Sequence, residues 1–345
     1  MILVTGGTGL VGSHLLYFLL KENKKVRAIH RKNSNLEAVK TIFSYYTDEY
    51  DLLFNKIEWV EADITDIPAL TAAFDAIAHV YHAAAYISFD VKHFHKLKKA
   101  NIEGTANIVN LCLANKVEKL CYVSSVATLG KTEGGKLITE ETVWNPEDNN
   151  SVYAISKYGA EMEIWRGTQE GLDCVIVNPG VIIGEGFWNS GSGVILKIAS
   201  KGIPYYTLGG VGIVDVKDVV KAMILLMNNN IKNKKYILVG KNILYKDLLS
   251  LLAKYLEKEA PKKSIPKGIL LFFSRLDWLS SKLFGTKRNL LKATVNSLFN
   301  KSYYDASKIK EDIDFDFTPY QETLKRVSSF YLMESFASDS AASIN

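Results

Sequence analysis

Tyr153 and Lys157 stand four residues apart in Tyr153-Ala154-Ile155-Ser156-Lys157, which on a helix puts a phenol and an ammonium on one face. A free phenol has a pKa of about 10. A nearby ammonium favours the phenolate and draws the group toward use near neutrality. The spacing alone decides little, because Tyr17-Phe18-Leu19-Leu20-Lys21 shows it too. A hydroxyl separates the two copies. Ser124 and Ser125 close the apolar run 120–123, at the strand end where ligands of open α/β sheets bind. A serine there can hold a substrate oxygen while Tyr153 moves a proton.

Thr5-Gly6-Gly7-Thr8-Gly9-Leu10-Val11-Gly12 follows the run 2–4 and opens a helical pattern. In that setting Gly6 allows a tight turn, Gly9 lets backbone approach a pyrophosphate, and Gly12 permits close packing of helix on sheet. The helix start offers unpaired N–H groups and roughly half a positive charge to an anion. A bound dinucleotide is therefore expected, with Gly6, Thr8, Gly9, Leu10, Val11 and Gly12 as contacts. An acid ending the second run would accept the ribose hydroxyls of NAD, whereas a base pairs with the 2′-phosphate of NADP. The chain reads Ala28-Ile29-His30-Arg31-Lys32-Asn33-Ser34 there. Arg31 forks onto phosphate, Lys32 adds charge and Ser34 is a further donor, so NADP(H) is expected over NAD(H). Asp63, in Ala62-Asp63-Ile64-Thr65-Asp66, follows the third run, where a carboxylate can accept from an adenine amino group, and Asp66 is placed to cap the next helix. Ala83-Ala84-Ala85, after the fourth run, leaves room for backbone to meet the cofactor.

An alternation of elements positions these groups. Short apolar runs at 2–4, 26–29, 57–60, 80–82, 120–123 and 175–177 alternate with helical patterns at 10–21, 67–74, 101–114 and 152–168. This predicts an α/β chain with a Rossmann-type, doubly wound parallel sheet. Past Asn178-Pro179-Gly180 the texture turns glycine-rich, then helical from 245 to 332. The expected partition is a dinucleotide-binding domain over 1–178, rejoined by about 211–240, a smaller and mostly helical substrate lobe over 179–334, and a polar tail over 335–345. Helices 101–114 and 152–168 are expected to offer a four-helix homodimer face.

Composition narrows the partners. The 345 residues are 48% hydrophobic with a formal net charge of +5. No dense Lys/Arg block appears, and Lys96, Lys98 and Lys99 read as a solvated helix face, so nucleic acid is not expected. Cys112, Cys121 and Cys174 lack a Cys-x-x-Cys spacing, which suits buried thiols, no metal and a reducing, cytoplasmic setting. The chain passes from Met1 straight into its first run, leaving no leader to be expected. Residues 268–285 are rich in Leu, Phe and Trp, but Arg275, Asp277 and Lys282 interrupt them. An amphipathic helix packed on the substrate lobe is expected there, not a transmembrane span.

Together these motifs resemble the extended short-chain dehydrogenase/reductase family. The likeness rests on the glycine turn, Asp63-Ile64, Ala83 to Ala85, Asn101, the Ser125, Tyr153 and Lys157 set, Asn178-Pro179-Gly180 and Tyr304-Asp305-Ala306-Ser307-Lys308. It covers nearly the whole chain. The resemblance implies that Tyr153 is the general acid/base, that Lys157 binds the nicotinamide ribose and lowers the Tyr153 pKa, and that Ser125 polarises a carbonyl. Ser125 takes that role over Ser124, which is expected only near the cofactor, because the family hydroxyl lies five residues before a closing glycine, here Gly130. It further implies that Asn101 lies near the nicotinamide and that Pro179, Gly180, Val181 and Ile182 form the wall beneath the ring.

Nucleotide-sugar members carry an Arg-Asp pair where this chain reads Gly210-Val211-Gly212-Ile213-Val214-Asp215-Val216-Lys217-Asp218, without arginine. That stretch resembles the dihydroflavonol-reductase-like branch. The implied activity is NADP(H)-dependent reduction of an aldehyde or ketone, or oxidation of the corresponding alcohol. Phe89, Phe187, Trp188, Tyr205 and Tyr206 are the expected substrate walls. Two alternatives stay open: a nucleotide-sugar epimerase or dehydratase using Lys197 or Lys201 in place of the arginine, and a non-catalytic NADP-binding regulator.

Overall fold

The computed structural model describes residues 1–132, 134–286, 288 and 290–342, the last six of these as backbone only. β1 (Ile2–Thr5), β2 (Val26–His30), β3 (Glu58–Glu61), β4 (His79–His82), β5 (Lys119–Val123), β6 (Cys174–Pro179) and β10 (Lys234–Leu238) form one sheet. Its order is β10-β6-β5-β4-β1-β2-β3, and every pair is parallel. Parallel neighbours need crossover connections, which cover both faces of the sheet with helices. On one face, Leu15, Leu16 and Leu19 of α1 (Leu10–Lys21) meet Val219 and Met223 of α9 (Val216–Asn228). On the other, Ile108 and Val109 of α6 (Gly104–Ala114) meet Ala160 and Ile164 of α7 (Val152–Gln169), with Leu70 from α4 (Ile67–Ala73). The strand order reverses between β1 and β4, which opens a ligand crevice at the C-terminal strand ends.

The apolar runs and helical patterns of the sequence fall on β1 to β6, α1, α4, α6 and α7. Within the long connection from β2 to β3, α2 (Glu37–Ser44) and α3 (Tyr50–Phe54) pack on α1, where Tyr17 stacks on Tyr46 at 4.3 Å.

The second lobe has a small sheet, β11-β9-β7, from β7 (Val181–Ile183), β9 (Gly210–Asp215) and β11 (Lys241–Leu244), and a two-stranded pair of β8 (Tyr205–Tyr206) with β12 (Lys263–Ser264). The chain crosses between sheets at Gly180, where a Cβ would collide with the Gly212 carbonyl. Leu196 of α8 (Gly193–Ala199), Leu248 and Leu252 of α10 (Tyr245–Tyr255), and Leu324 and Val327 of α14 (Tyr320–Ala342) build the lobe core. α11 (Lys267–Phe284), α12 (Lys292–Ser297) and α13 (Ser307–Ile313) complete it. After leaving the lobe, α9 and β10 return to the main sheet.

Three expectations need correction. The helical pattern read from 101 begins earlier, with α5 (Phe94–Leu97) running through a π-helical stretch (Lys98–Glu103) into α6. The tail expected from 335 is helical through Ala342, because small residues such as Ala337, Ala341 and Ala342 suit a helix without an apolar stripe; residues 343–345 lie outside the described residues. The amphipathic helix at 267–284 forms, but it does not pack its apolar face on the lobe. Its polar stripe turns inward instead, held by the Ser274 hydroxyl donating to the Leu290 carbonyl and by Asp277 accepting from the Leu290 N–H. Among the described residues, no helix is long and apolar enough to cross a membrane.

Candidate active site

The glycine turn is a cradle that side chains would fill. Gly6 sits at φ +71°, where an added Cβ would lie 2.6 Å from the Ala84 nitrogen. At Gly12 an added Cβ would collide with the Gly6 carbonyl, which receives the turn-closing N–H of Gly9 at 3.0 Å. Side chains of Asp66, Ser151 and Asp215 cap α4, α7 and α9, whereas α1 starts at Gly9 with no side-chain cap and no acid in its first turn. Its positive end faces the crevice uncompensated, a donor set that fits a pyrophosphate. Gly12→Ala should weaken dinucleotide binding at least about ten-fold in a fluorescence titration and destabilise the fold by about 1–3 kcal/mol. An unchanged affinity would show that the dinucleotide binds elsewhere.

Below the turn, Thr5 Oγ1 meets His82 Nδ1 at 2.7 Å and accepts from the Ala84 N–H, tying the Ala83-Ala84-Ala85 segment to the end of β1. Burial drives the His82 pKa down to about 3, so its ring is neutral. A cleft of about 460 Å³ beside β2 and β3 is lined by Arg31, Lys32, Asp63 and Asp66, with Glu61 among them. Arg31 and Lys32 are exposed there, while the Ser34 hydroxyl accepts from the Arg31 N–H and so shapes the turn. Asp66 caps α4 as expected. Asp63 Oδ1 accepts from the Thr65 N–H and hydroxyl, and Ile64 is buried beside Gly104, where a Cβ would strike it.

Ser125, Tyr153 and Lys157 converge at the ends of β5 and α7. Ser125 Oγ caps a single 3-10 turn (Val126–Thr128) by accepting from the Ala127 N–H at 3.2 Å. Tyr153 enters on the first turn of α7, fixed by the Ser151 cap. Burial raises its pKa to about 12, and a hydrogen bond with Ser125 opposes the rise. Lys157 is buried, with Nζ donating to the Tyr122 hydroxyl at 2.6 Å and the Val123 carbonyl at 2.8 Å. Desolvation lowers its pKa to about 7, and the Glu161 carboxylate works against that. In this structure the ammonium is engaged with β5, one helical turn along α7 from Tyr153.

Behind this set, Glu161 Oε2 accepts from the hydroxyls of Ser124 (2.6 Å) and Thr128 (2.7 Å) and from the Asn178 amide (3.0 Å). Ser124 is thereby committed to the core, leaving Ser125 as the hydroxyl beside Tyr153. Asn101, in the π-helical stretch, accepts from the Tyr86 N–H and donates to the Tyr86 carbonyl and the Ser156 hydroxyl. It clamps the 83–90 segment to α7 with its whole amide. Neither Tyr122 nor Glu161 was legible as a partner, although Glu161 lies one turn beyond Lys157 on the same helix. The π-helical stretch carries no signature in the sequence.

The expected substrate walls divide. Phe89 lies against the Tyr153 ring at 5.3 Å. Trp188 is bound into the lobe, donating to Glu334 and packing edge-on to Tyr331 at 5.2 Å. Phe187 is half-buried in the loop after β7, and Tyr205 and Tyr206 belong to β8, the latter beneath Lys246. Pro179, Gly180, Val181 and Ile182 make the junction between the two sheets.

This arrangement of turn, strand ends and helix has relatives. A sequence model of the "NAD dependent epimerase/dehydratase family" matches residues 2–240. The chain belongs to that family. Like other members of this extended short-chain dehydrogenase/reductase superfamily, it is an enzyme built on a Rossmann-type sheet. It is similar to a Synechocystis protein described as "Putative dihydroflavonol 4-reductase", 30% identical over 90% of this chain and 88% of the relative. A Medicago truncatula cinnamoyl-CoA reductase is 25% identical over 88% of this chain and 97% of its own. The crystal structure of gox2253 superposes with a TM-score of 0.80 at 26% identity, covering 97% of this chain and 98% of that one.

Proposed function

We propose that this family member is an NADP(H)-dependent reductase of an aldehyde or ketone, also able to oxidise the corresponding alcohol. The observation that carries this reading is the convergence of Ser125, Tyr153 and Lys157 at the ends of β5 and α7, with an uncapped α1 to hold the dinucleotide. A reduced nicotinamide, when bound, supplies the hydride to the carbonyl carbon. With a pKa of about 12, Tyr153 holds its proton at neutral pH and delivers it to the carbonyl oxygen. Ser125 holds the same oxygen by hydrogen bond. Lys157, one turn along α7, favours the phenolate that remains.

Two features favour a reductase over a nucleotide-sugar epimerase. No arginine stands at Val211, and Arg326, which approaches from α14, forks onto Asp215 at 2.8 Å and pairs with Glu185, so its charge is already spent. Lys197 donates to Asn189 at the surface. The relatives named as reductases support the same branch. Exposed Ile155 and Met162 on α7 support the homodimer face.

The exposed Arg31 and Lys32 support NADP(H). NADPH should bind more tightly than NADH, and Arg31→Ala should shrink the ratio of their Kd values about ten-fold, the worth of one charge-assisted fork. Equal affinities in the parent protein would overturn the cofactor assignment.

A further inference from the structure

α11 is turned inside out. Ser274, near the middle of the helix, is buried, and with Asp277 it bonds to Leu290, while Phe272, Phe273, Leu276, Leu279, Leu283 and Phe284 stand 44–78% exposed. At 100° per residue these six span a continuous arc on the side away from Ser274. A scattered exposed leucine is ordinary, but three phenylalanines and three leucines on one outward face mark a contact surface.

Charge says what the surface fits. Residues 262–292 hold eight Lys and Arg and one acid, Asp277, whereas the rest of the chain holds 34 basic and 36 acidic residues. The single acid is turned inward toward Arg288 and Leu290. Arg275 and Lys282 flank the apolar arc on its Leu279 side, and Lys263 and Lys267 are exposed at the start of the helix, where Lys262 pairs with Glu259. Two copies meeting through this face would press like charges together. An anionic surface with an apolar interior satisfies both the lysines and the phenylalanines. A helix lying in the plane of a bilayer has this composition, apolar below and basic at the flanks.

We propose that α11 docks the protein, without spanning, on the surface of a membrane containing anionic lipid. The apolar face enters the headgroup boundary, and Lys263, Lys267, Arg275 and Lys282 meet the lipid phosphates. This docking is independent of the reductase reading and survives if that reading fails.

Co-flotation of the whole protein with phosphatidylcholine vesicles, with and without phosphatidylglycerol, tests it. Binding should be at least about ten-fold stronger to the anionic vesicles and should weaken as salt rises. Leu276→Asp with Phe272→Asp should abolish it while the thermal midpoint moves by no more than a few degrees, since both side chains stand about half in solvent. Lys263→Glu with Lys267→Glu and Lys282→Glu should remove the preference for anionic lipid. The proposal is overturned by no binding to either vesicle, by equal binding to both, or by a dimer in sedimentation that Leu276→Asp dissociates, which would show that a second copy covers the face.

Discussion

Replacing Tyr153 with phenylalanine should lower kcat for carbonyl reduction by about 10³-fold while leaving the dinucleotide Kd within about two-fold. The ring survives the change, so the packing on Phe89 at 5.3 Å is retained and α7 keeps its Ser151 cap. Only the hydroxyl is lost, and with it the proton donor. In the proposed reading dinucleotide binding rests on the glycine turn and the free end of α1, which the substitution does not touch. Steady-state turnover and a fluorescence titration on the same preparation separate the two effects. Turnover within ten-fold of the parent would remove Tyr153 from the chemistry.

Lys157→Met should lower turnover by about 10²-fold and change how stability responds to pH. Burial lowers the folded pKa of Lys157 from 10.5 to about 7. Below pH 7 both folded and unfolded chains hold the proton, and the full cost of burying the ammonium is present. From 7 to 10.5 the folded chain releases it while the unfolded chain keeps it, so the stability contributed at this position rises with pH. The unfolding free energy of the parent should therefore gain about 2–3 kcal/mol on that of Lys157→Met between pH 7 and pH 9, at 1.36 kcal/mol per unit. Urea unfolding of both proteins across that range measures the difference. A difference that stays flat would mean the buried ammonium holds its proton throughout.

The strands and the glycine turn were legible because their signals are local. A run such as Ile2-Leu3-Val4 followed by Gly6, Gly9 and Gly12 carries its own geometry, and Tyr153 and Lys157 share a face on any helix. Tyr122 and Glu161 were not legible as partners because they reach the site through the register of β5 beside β6 and the docking of α7, which no spacing encodes. Trp188 looked like a pocket wall because an aromatic after a glycine turn has the same composition in a lobe core. In α11 the amphipathic pattern was plain, but a pattern does not say which face meets the protein. Glu61 ends β3, not β2, and lines the cleft beside Arg31 and Lys32 from the neighbouring strand, so no spacing along β2 points to it.

The central claim is net hydride transfer to a carbonyl, and NADPH deuterated at nicotinamide C4 tests it most directly, offered with a panel of aldehydes, ketones and nucleotide sugars. If Tyr153 and Ser125 serve a reductase, the released alcohol carries deuterium on its former carbonyl carbon, one equivalent of NADP⁺ forms per alcohol, and Tyr153→Phe abolishes both. A nucleotide sugar epimerised with no net oxidation of the cofactor, and no label in any alcohol, would contradict it.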